Sequence, residues 1–293
     1  MPVNDPVVAE QTPAADFTID QKWDLYTPEE HAIWTTLYER QMGVLKDRAA
    51  PEHFRGLDLL NLNEGGIPDF RRVNEKLEKL TGWTVVTVPG LIPEREFYDH
   101  LANRRFVSGR FIRDGEKLDY LPEPDIFHDV FGHVPLLTQP VFADYMQAYG
   151  RGGLRSLQFD AIKHMARLYW YTVEFGLINT PQGRRIYGAG IVSSRAESIF
   201  CLEARSPNRI HFDLERIMRT DYRYDDFQQT YFVIDSYDEL MEATYRDFAP
   251  IYEKLPGMSE LKPSDVIESD KVYARGTQEY AKAGGLPAKA AAV

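Results

Sequence analysis

Two of the seven histidines in this chain, His128 and His133, stand five residues apart in a stretch fenced by Pro122, Pro124 and Pro135. Pro124 suits the first turn of a short helix, Asp125 suits its positive N-terminal end, and Gly132 with Pro135 predicts a stop after about two turns. On a regular helix five residues turn a side chain through roughly 140°, so the two imidazoles do not share a face of an unbroken α-helix. They converge if Gly132 adopts a left-handed conformation and swings the chain round, with His128 on the helix and His133 just beyond it. Imidazoles brought together in this way suit a shared metal ion; read singly, one could cap or pack and the other lie at the surface.

A third ligand is available in Leu168-Tyr169-Trp170-Tyr171-Thr172-Val173-Glu174-Phe175-Gly176-Leu177, the second half of a helix predicted over residues 159–177. This half is apolar nearly all round, the pattern of a buried helix. Glu174 is its only carboxyl, and an unpaired buried carboxylate costs several kcal/mol, so it must be protonated, paired with an arginine such as Arg167 or Arg184, or metal-bound. Two histidines and one carboxylate cover one face of a metal and leave about three positions open on an octahedral ion, the arrangement of non-haem Fe(II) oxygenases. The same ligands also make an open tetrahedral zinc site. Zinc hydrolases, however, place their histidines four apart as His-Glu-x-x-His, whereas here the spacing is five and Asp129 follows His128. A non-catalytic binding protein, with Glu174 in a structural role, is the remaining alternative.

The elements that must position these residues are legible in part. The chain has 293 residues, 43% hydrophobic and 13% aromatic, enough for one large domain. Residues 1–20, rich in Pro, Ala and acids without periodicity, are expected to form a mobile arm; residues 21–262 form the domain, and 263–293 a polar, partly disordered tail. Thr27-Pro28-Glu29-Glu30 reads as a capping box opening a helix, and a second helix follows from Pro68 with Phe70, Val73 and Leu77 on one stripe and Gly82 closing it. Thr84 to Val88 is a predicted strand, leading through Pro89-Gly90-Leu91-Ile92-Pro93 to a helix bearing Phe97, which by itself is the core face of that helix. Residues 109–120 look like a hairpin turning at Asp114-Gly115. Pro140 to Tyr149 reads as a helix broken by Gly150-Arg151-Gly152-Gly153. The Tyr187-Gly188-Ala189-Gly190 stretch lets backbone approach something closely.

The net charge of -11 argues against nucleic-acid or anionic-membrane partners. The single cysteine, Cys201, excludes an internal disulfide; the N-terminal residues lack signal-peptide character, and no stretch is apolar for the ~18 residues a membrane span needs. A cytoplasmic protein is expected.

The run Tyr120 to Pro135, the run Leu168 to Leu177 and Tyr187-Gly188-Ala189-Gly190-Ile191-Val192-Ser193-Ser194 together resemble the signatures of the pterin-dependent aromatic amino acid hydroxylases, in the expected order. The resemblance covers about residues 20–255 and is greatest to single-domain bacterial phenylalanine 4-hydroxylases. It implies a mainly α fold with small β elements (α+β) and phenylalanine 4-monooxygenase activity, converting L-phenylalanine to L-tyrosine with O2 and a tetrahydropterin. By the same resemblance His128, His133 and Glu174 hold Fe(II). Gly90, Leu91, Ile92, Phe97 and Tyr169 belong to the pterin site, while Arg113, Trp170, Phe175 and Ser193 belong to the substrate site. In that reading Arg113 forms a bidentate pair with the amino acid's carboxylate, and Ser193 lies near that carboxylate or behind a metal ligand. Glu123 and Asp129 would assist catalysis beside the pterin and the metal ligands. Many members of that family carry glutamate where Asp129 stands, so the resemblance does not carry a direct pterin contact to this position, and threonine where Leu121 stands, which removes one possible hydrogen bond to the substrate. The regulatory and tetramerisation segments of larger members are not expected here, and a monomer is expected.

Overall fold

The computed structural model describes residues 5–119 and 123–284; Tyr120, Leu121 and Pro122 of the first motif lie outside the described residues. Helices carry most of the scaffold: α1 (Pro6–Ala9), α2 (Pro28–Leu45), α3 (Pro51–Leu59), α4 (Phe70–Thr81), α5 (Glu94–Ala102), α6 (Pro140–Ser156), α7 (Ile162–Tyr169), α8 (Ala189–Val192), α9 (Arg195–Glu203), α10 (Leu214–Met218) and α11 (Tyr237–Thr244). Strands β1 (Thr84–Thr87) and β2 (Arg105–Ser108) form a parallel pair. A second sheet runs β4-β3-β6-β5-β7, built from β3 (Leu177–Thr180), β4 (Gly183–Ile186), β5 (Asn208–His211), β6 (Thr230–Ile234) and β7 (Val272–Ala274). Its three middle strands are parallel and both edge strands antiparallel. The architecture is thus the expected α+β one. Among the described residues no helix is long and apolar enough to cross a membrane.

Local chemistry fixes the helix starts. Thr27 accepts from the Glu30 amide while the Glu30 side chain accepts from the Thr27 amide, the reciprocal capping box read in the sequence. Asp69 caps α4, which buries Phe70, Val73 and Leu77 and ends on Gly82 in the left-handed region. A mainly apolar cluster that includes Trp34, Trp83, Phe127, Phe131, Tyr145 and Phe232 fills the centre of the molecule.

Four expectations differ from the structure. The helix begun at Pro140 does not break at its glycines but runs to Ser156. A Cβ on Gly150 would lie 2.4 Å from the Ala102 amide nitrogen, and one on Gly153 would lie 2.0 Å from the Tyr98 ring. These glycines are notches that let α5 press onto α6. Residues 109–119 form no hairpin ladder; β2 pairs with β1 instead, and Asp114 merely organises a turn by accepting from the Glu116 amide. Residues 5–20 are fastened rather than free: Arg110 donates to Asp5 at 2.6 Å, Arg105 to Asp16 at 2.9 Å, and Ile19 bridges to Thr87. The tail contributes β7 to the sheet, because Val272 and Ala274 find an open edge of β5; residues 285–293 lie outside the described residues.

Candidate active site

His128 and His133 both lie on one π-helical turn, Phe127–His133, and Gly132 does not take the left-handed conformation. Widening the helix to i→i+5 hydrogen bonds does what the expected break was meant to do, bringing positions five apart towards one face. Gly132 is needed for packing: a Cβ there would meet the Ala189 carbonyl oxygen at 3.0 Å, where α8 crosses. Glu174 ends a second π-helical segment, Trp170–Glu174, which continues α7. Gly188 and Gly190 are the close approach foreseen in the sequence, since a Cβ on Gly188 would sit 2.4 Å from the Glu174 carbonyl oxygen and one on Gly190 would sit 3.0 Å from Glu174 Oε2.

These elements bring the three side chains together. His133 Nε2 is 3.3 Å from His128 Nε2 and 3.1 Å from Glu174 Oε1, and His128 Nε2 is 3.6 Å from Glu174 Oε2. Ser193 Oγ donates its one proton to the Ala189 carbonyl at 2.7 Å, so it accepts from His128 Nδ1 at 2.9 Å. That bond puts the ring proton of neutral His128 on Nδ1 and leaves the Nε2 lone pair facing the other two donors. Donors about 3 Å apart suit a metal that binds nitrogen and oxygen at about 2.0–2.2 Å. Burial pushes Glu174 up, but the His133 and His128 imidazoles more than offset it and hold the carboxyl well below the usual range. An anionic carboxylate meeting the His128 lone pair and the His133 imidazole nitrogen in a buried cluster fits a divalent cation, and neither Arg167 nor Arg184 pairs with Glu174: Arg167 faces Asp221 and Glu260, and Arg184 lies over the Tyr273 ring.

Residues 18–257 match the sequence pattern of the family described as biopterin-dependent aromatic amino acid hydroxylase. The chain belongs to this family. It is 65% identical over 277 residues to a phenylalanine-4-hydroxylase of Caulobacter vibrioides, covering 94% of each chain. It is 54% identical to one of Chromobacterium violaceum, over 91% of this chain and 90% of that one. A crystal structure of the Chromobacterium violaceum phenylalanine hydroxylase with iron and phenylalanine bound is similar at TM-score 0.86 and 53% identity, covering 90% of this chain and 97% of that one. A cobalt-bound structure of the same protein gives 0.88 at 54% identity, with 90% and 96% covered.

In this hydroxylase the remaining expected residues surround the metal cluster to different degrees. Tyr169 lies beside His133, ring centroids 6.0 Å apart, and Phe97 meets Tyr169 edge-on at 5.8 Å. The Gly90-Leu91-Ile92 loop leads into the helix carrying Phe97, and Leu91 is 86% exposed, a large apolar side chain left uncovered by protein. Phe175 touches the space above Gly190 next to Glu174, and its ring lies 4.7 Å from that of Trp170. Trp170 in turn stacks on Tyr222 at 4.4 Å and donates its indole N–H to Gln228 Oε1 at 2.9 Å. Asp129 is partly buried, accepts from the Gly109 amide at 2.8 Å, and is pushed by burial up to about 7, against the pull of His128. Glu123 is half-buried on the approach to Asp125.

Arg113 is engaged by Asp125, a partner the sequence reading did not supply. Three of its five N–H groups are taken within the protein: Nε donates to Asp125 Oδ2 at 2.8 Å, Nη2 to Asp125 Oδ1 at 2.9 Å, and Nη1 to the Leu118 carbonyl at 3.0 Å. Asp125 also accepts from the His128 amide at 2.9 Å, so it locks the arginine to the start of the ligand-bearing turn. Arg113 overcomes the burial of Asp125 and keeps its carboxyl below the usual range. Sequence reasoning placed Asp125 only at a helix N-terminus; its position three residues before His128 was the available signal. It missed Phe106 altogether, whose ring lies 4.9 Å from that of His133. Only the alternating burial of β2 marks that residue.

Proposed function

We propose that this chain is a phenylalanine 4-monooxygenase, with His128, His133 and Glu174 as the ligands of Fe(II). The observation that carries the reading is the convergence of two imidazole Nε2 atoms and one carboxylate within 3.1–3.6 Å, one imidazole held in the ligating tautomer by Ser193. When bound, ferrous iron and tetrahydropterin supply the activation of O2 and the two electrons that place one oxygen atom on the substrate ring and leave the pterin hydroxylated.

The chain's own residues bind, orient and exclude water. Phe97 and the Gly90-Leu91-Ile92 loop offer an apolar floor for a flat pterin, with Tyr169 joining it to the metal centre and Glu123 at its polar edge. Phe175 and Trp170 wall the pocket for an aromatic ring, and the Tyr222 stack and the Gln228 bond keep the indole in place. Arg113, held rigid by Asp125, would offer the amino acid's carboxylate the N–H on each Nη that Asp125 and Leu118 leave over. Ser193 acts through His128, and Asp129 through the water beside the ligands. We read the protein as a cytoplasmic monomer. Aerobic incubation of the Fe(II)-loaded protein with phenylalanine and tetrahydropterin tests the reading. Tyrosine formed only when O2 and pterin are both present supports it; product formed anaerobically, or no tyrosine at all, overturns it.

A further inference from the structure

A second group of possible metal ligands lies outside the hydroxylase centre. His211 ends β5, Asp235 directly follows β6, and Glu239 lies on α11; one donor atom from each is within 4.8 Å of the other two. They meet where the parallel strands β5, β6 and β3 end together, the side of a parallel sheet at which ligands commonly bind.

Each of the three is oriented by a partner that leaves one donor atom over. Tyr273 Oη donates its single proton to Asp235 Oδ1 at 3.1 Å, and Asn179 donates to the same oxygen at 2.7 Å. With that proton spent, Tyr273 Oη can only accept from His211 Nδ1, also 3.1 Å away, so Nδ1 carries the ring hydrogen. The Asp235 amide occupies Glu239 Oε2 at 2.7 Å. What remains is the His211 Nε2 lone pair and Glu239 Oε1, with Asp235 Oδ2 3.9 Å from His211 Nδ1 on the same imidazole. In the neutral imidazole, Nε2 and Oε1 are two acceptors only 3.1 Å apart, the same separation as His133 Nε2 and Glu174 Oε1 at the hydroxylase centre. Two lone pairs at that distance repel unless a proton or a metal ion lies between them.

We propose that His211, Asp235 and Glu239 bind a divalent transition metal of the zinc class, with water completing the coordination. One imidazole and two carboxylates suit zinc, and the donors are held by hydrogen bonds of the kind that usually stand behind metal ligands. The His211 and Glu239 side chains are 23% and 26% exposed, which leaves room for water on the outer side. Lys271 Nζ, 3.8 Å from Asp235 Oδ2 on a side chain 62% exposed, would turn out to solvent as the ion enters. Because Tyr273 lies on β7, the ion would also fasten the C-terminal strand to the sheet.

Zinc is titrated calorimetrically into the iron-loaded protein in metal-free buffer, and bound zinc and iron are counted by elemental analysis after desalting. The expected result is one zinc per chain with no iron released. Binding should weaken at least tenfold in Glu239→Gln and in His211→Ala, and about tenfold in Tyr273→Phe, which keeps all three donors but frees the imidazole. Circular dichroism confirms that each variant is folded. Zinc taken up only as iron leaves, equal affinity in Glu239→Gln and the wild type, or no retained zinc, with a proton filling the contact instead, would each overturn the proposal.

Discussion

Replacing Glu197 by glutamine should remove a pH dependence of stability. Glu197 lies buried on α9, where its Oε1 accepts from the Tyr231 hydroxyl and from the Gln228 amide. Burial pushes this carboxyl from 4.5 up to about 7; the Tyr231 and Gln228 bonds oppose the rise and Asp226 adds to it. The folded chain therefore holds this proton more tightly than the unfolded chain does. Below pH 4.5 both states are protonated and the group contributes nothing. As pH rises from 4.5 towards 7 the unfolded state ionises first, and stability falls until the folded state ionises too. At about 1.4 kcal/mol per unit, the separation amounts to about 3 kcal/mol lost above pH 7. A glutamine here has no proton to lose and keeps an oxygen to accept from Tyr231. Urea unfolding of the wild type and Glu197→Gln should thus give similar stabilities at pH 4.5 and a variant more stable by up to about 3 kcal/mol at pH 8. A difference that does not change with pH, or one that favours the wild type at pH 8, would refute the reasoning. The site matters for function because Gln228, which donates to Glu197, also holds the Trp170 indole.

Other substitutions probe the supports of the metal cluster. Gly188→Ala would drive a Cβ to 2.4 Å from the Glu174 carbonyl oxygen and 2.5 Å from the Gly176 amide nitrogen, neither of which can swing aside. A loss of about 1–3 kcal/mol or more in thermal unfolding is expected, and an unchanged midpoint would contradict the packing described. Ser193→Ala removes the acceptor that fixes the His128 tautomer and should weaken iron binding by about 10- to 100-fold in competition with a chelator; equal retention would show that the hydrogen bond is idle. Asp125→Ala leaves Arg113 buried without its counter-charge and should cost about 3–5 kcal/mol in urea unfolding, against little change if the pair is dispensable.

Much of the site was readable because its chemistry makes demands that bland alternatives cannot meet. A lone carboxyl at Glu174, in a segment apolar on every side, had to be protonated, paired or metal-bound, and the structure sets two imidazole nitrogens beside it. Signals that depend only on neighbours in sequence also survived: the Thr27–Glu30 capping box, the Phe70-Val73-Leu77 stripe and the Gly82 stop. What could not be read depends on contacts between distant residues. The widened turns at Phe127–His133 and Trp170–Glu174 carry no local signature, so a glycine break was invoked to do their work. Gly150 and Gly153 looked like helix breakers because the helix that needs their missing side chains, α5, lies some fifty residues earlier. Arg113 looked like an open fork because its partner is Asp125, twelve residues on. The N-terminal segment looked free because Arg105 and Arg110, its anchors, are remote in sequence.

The central claim is most directly tested by metal content. Wild type, His133→Ala and Glu174→Ala proteins are loaded anaerobically with Fe(II), desalted, and measured for iron per chain, with folding followed by circular dichroism. The account predicts one iron per wild-type chain and little or none in either folded variant; a variant that keeps a full equivalent of iron would contradict it.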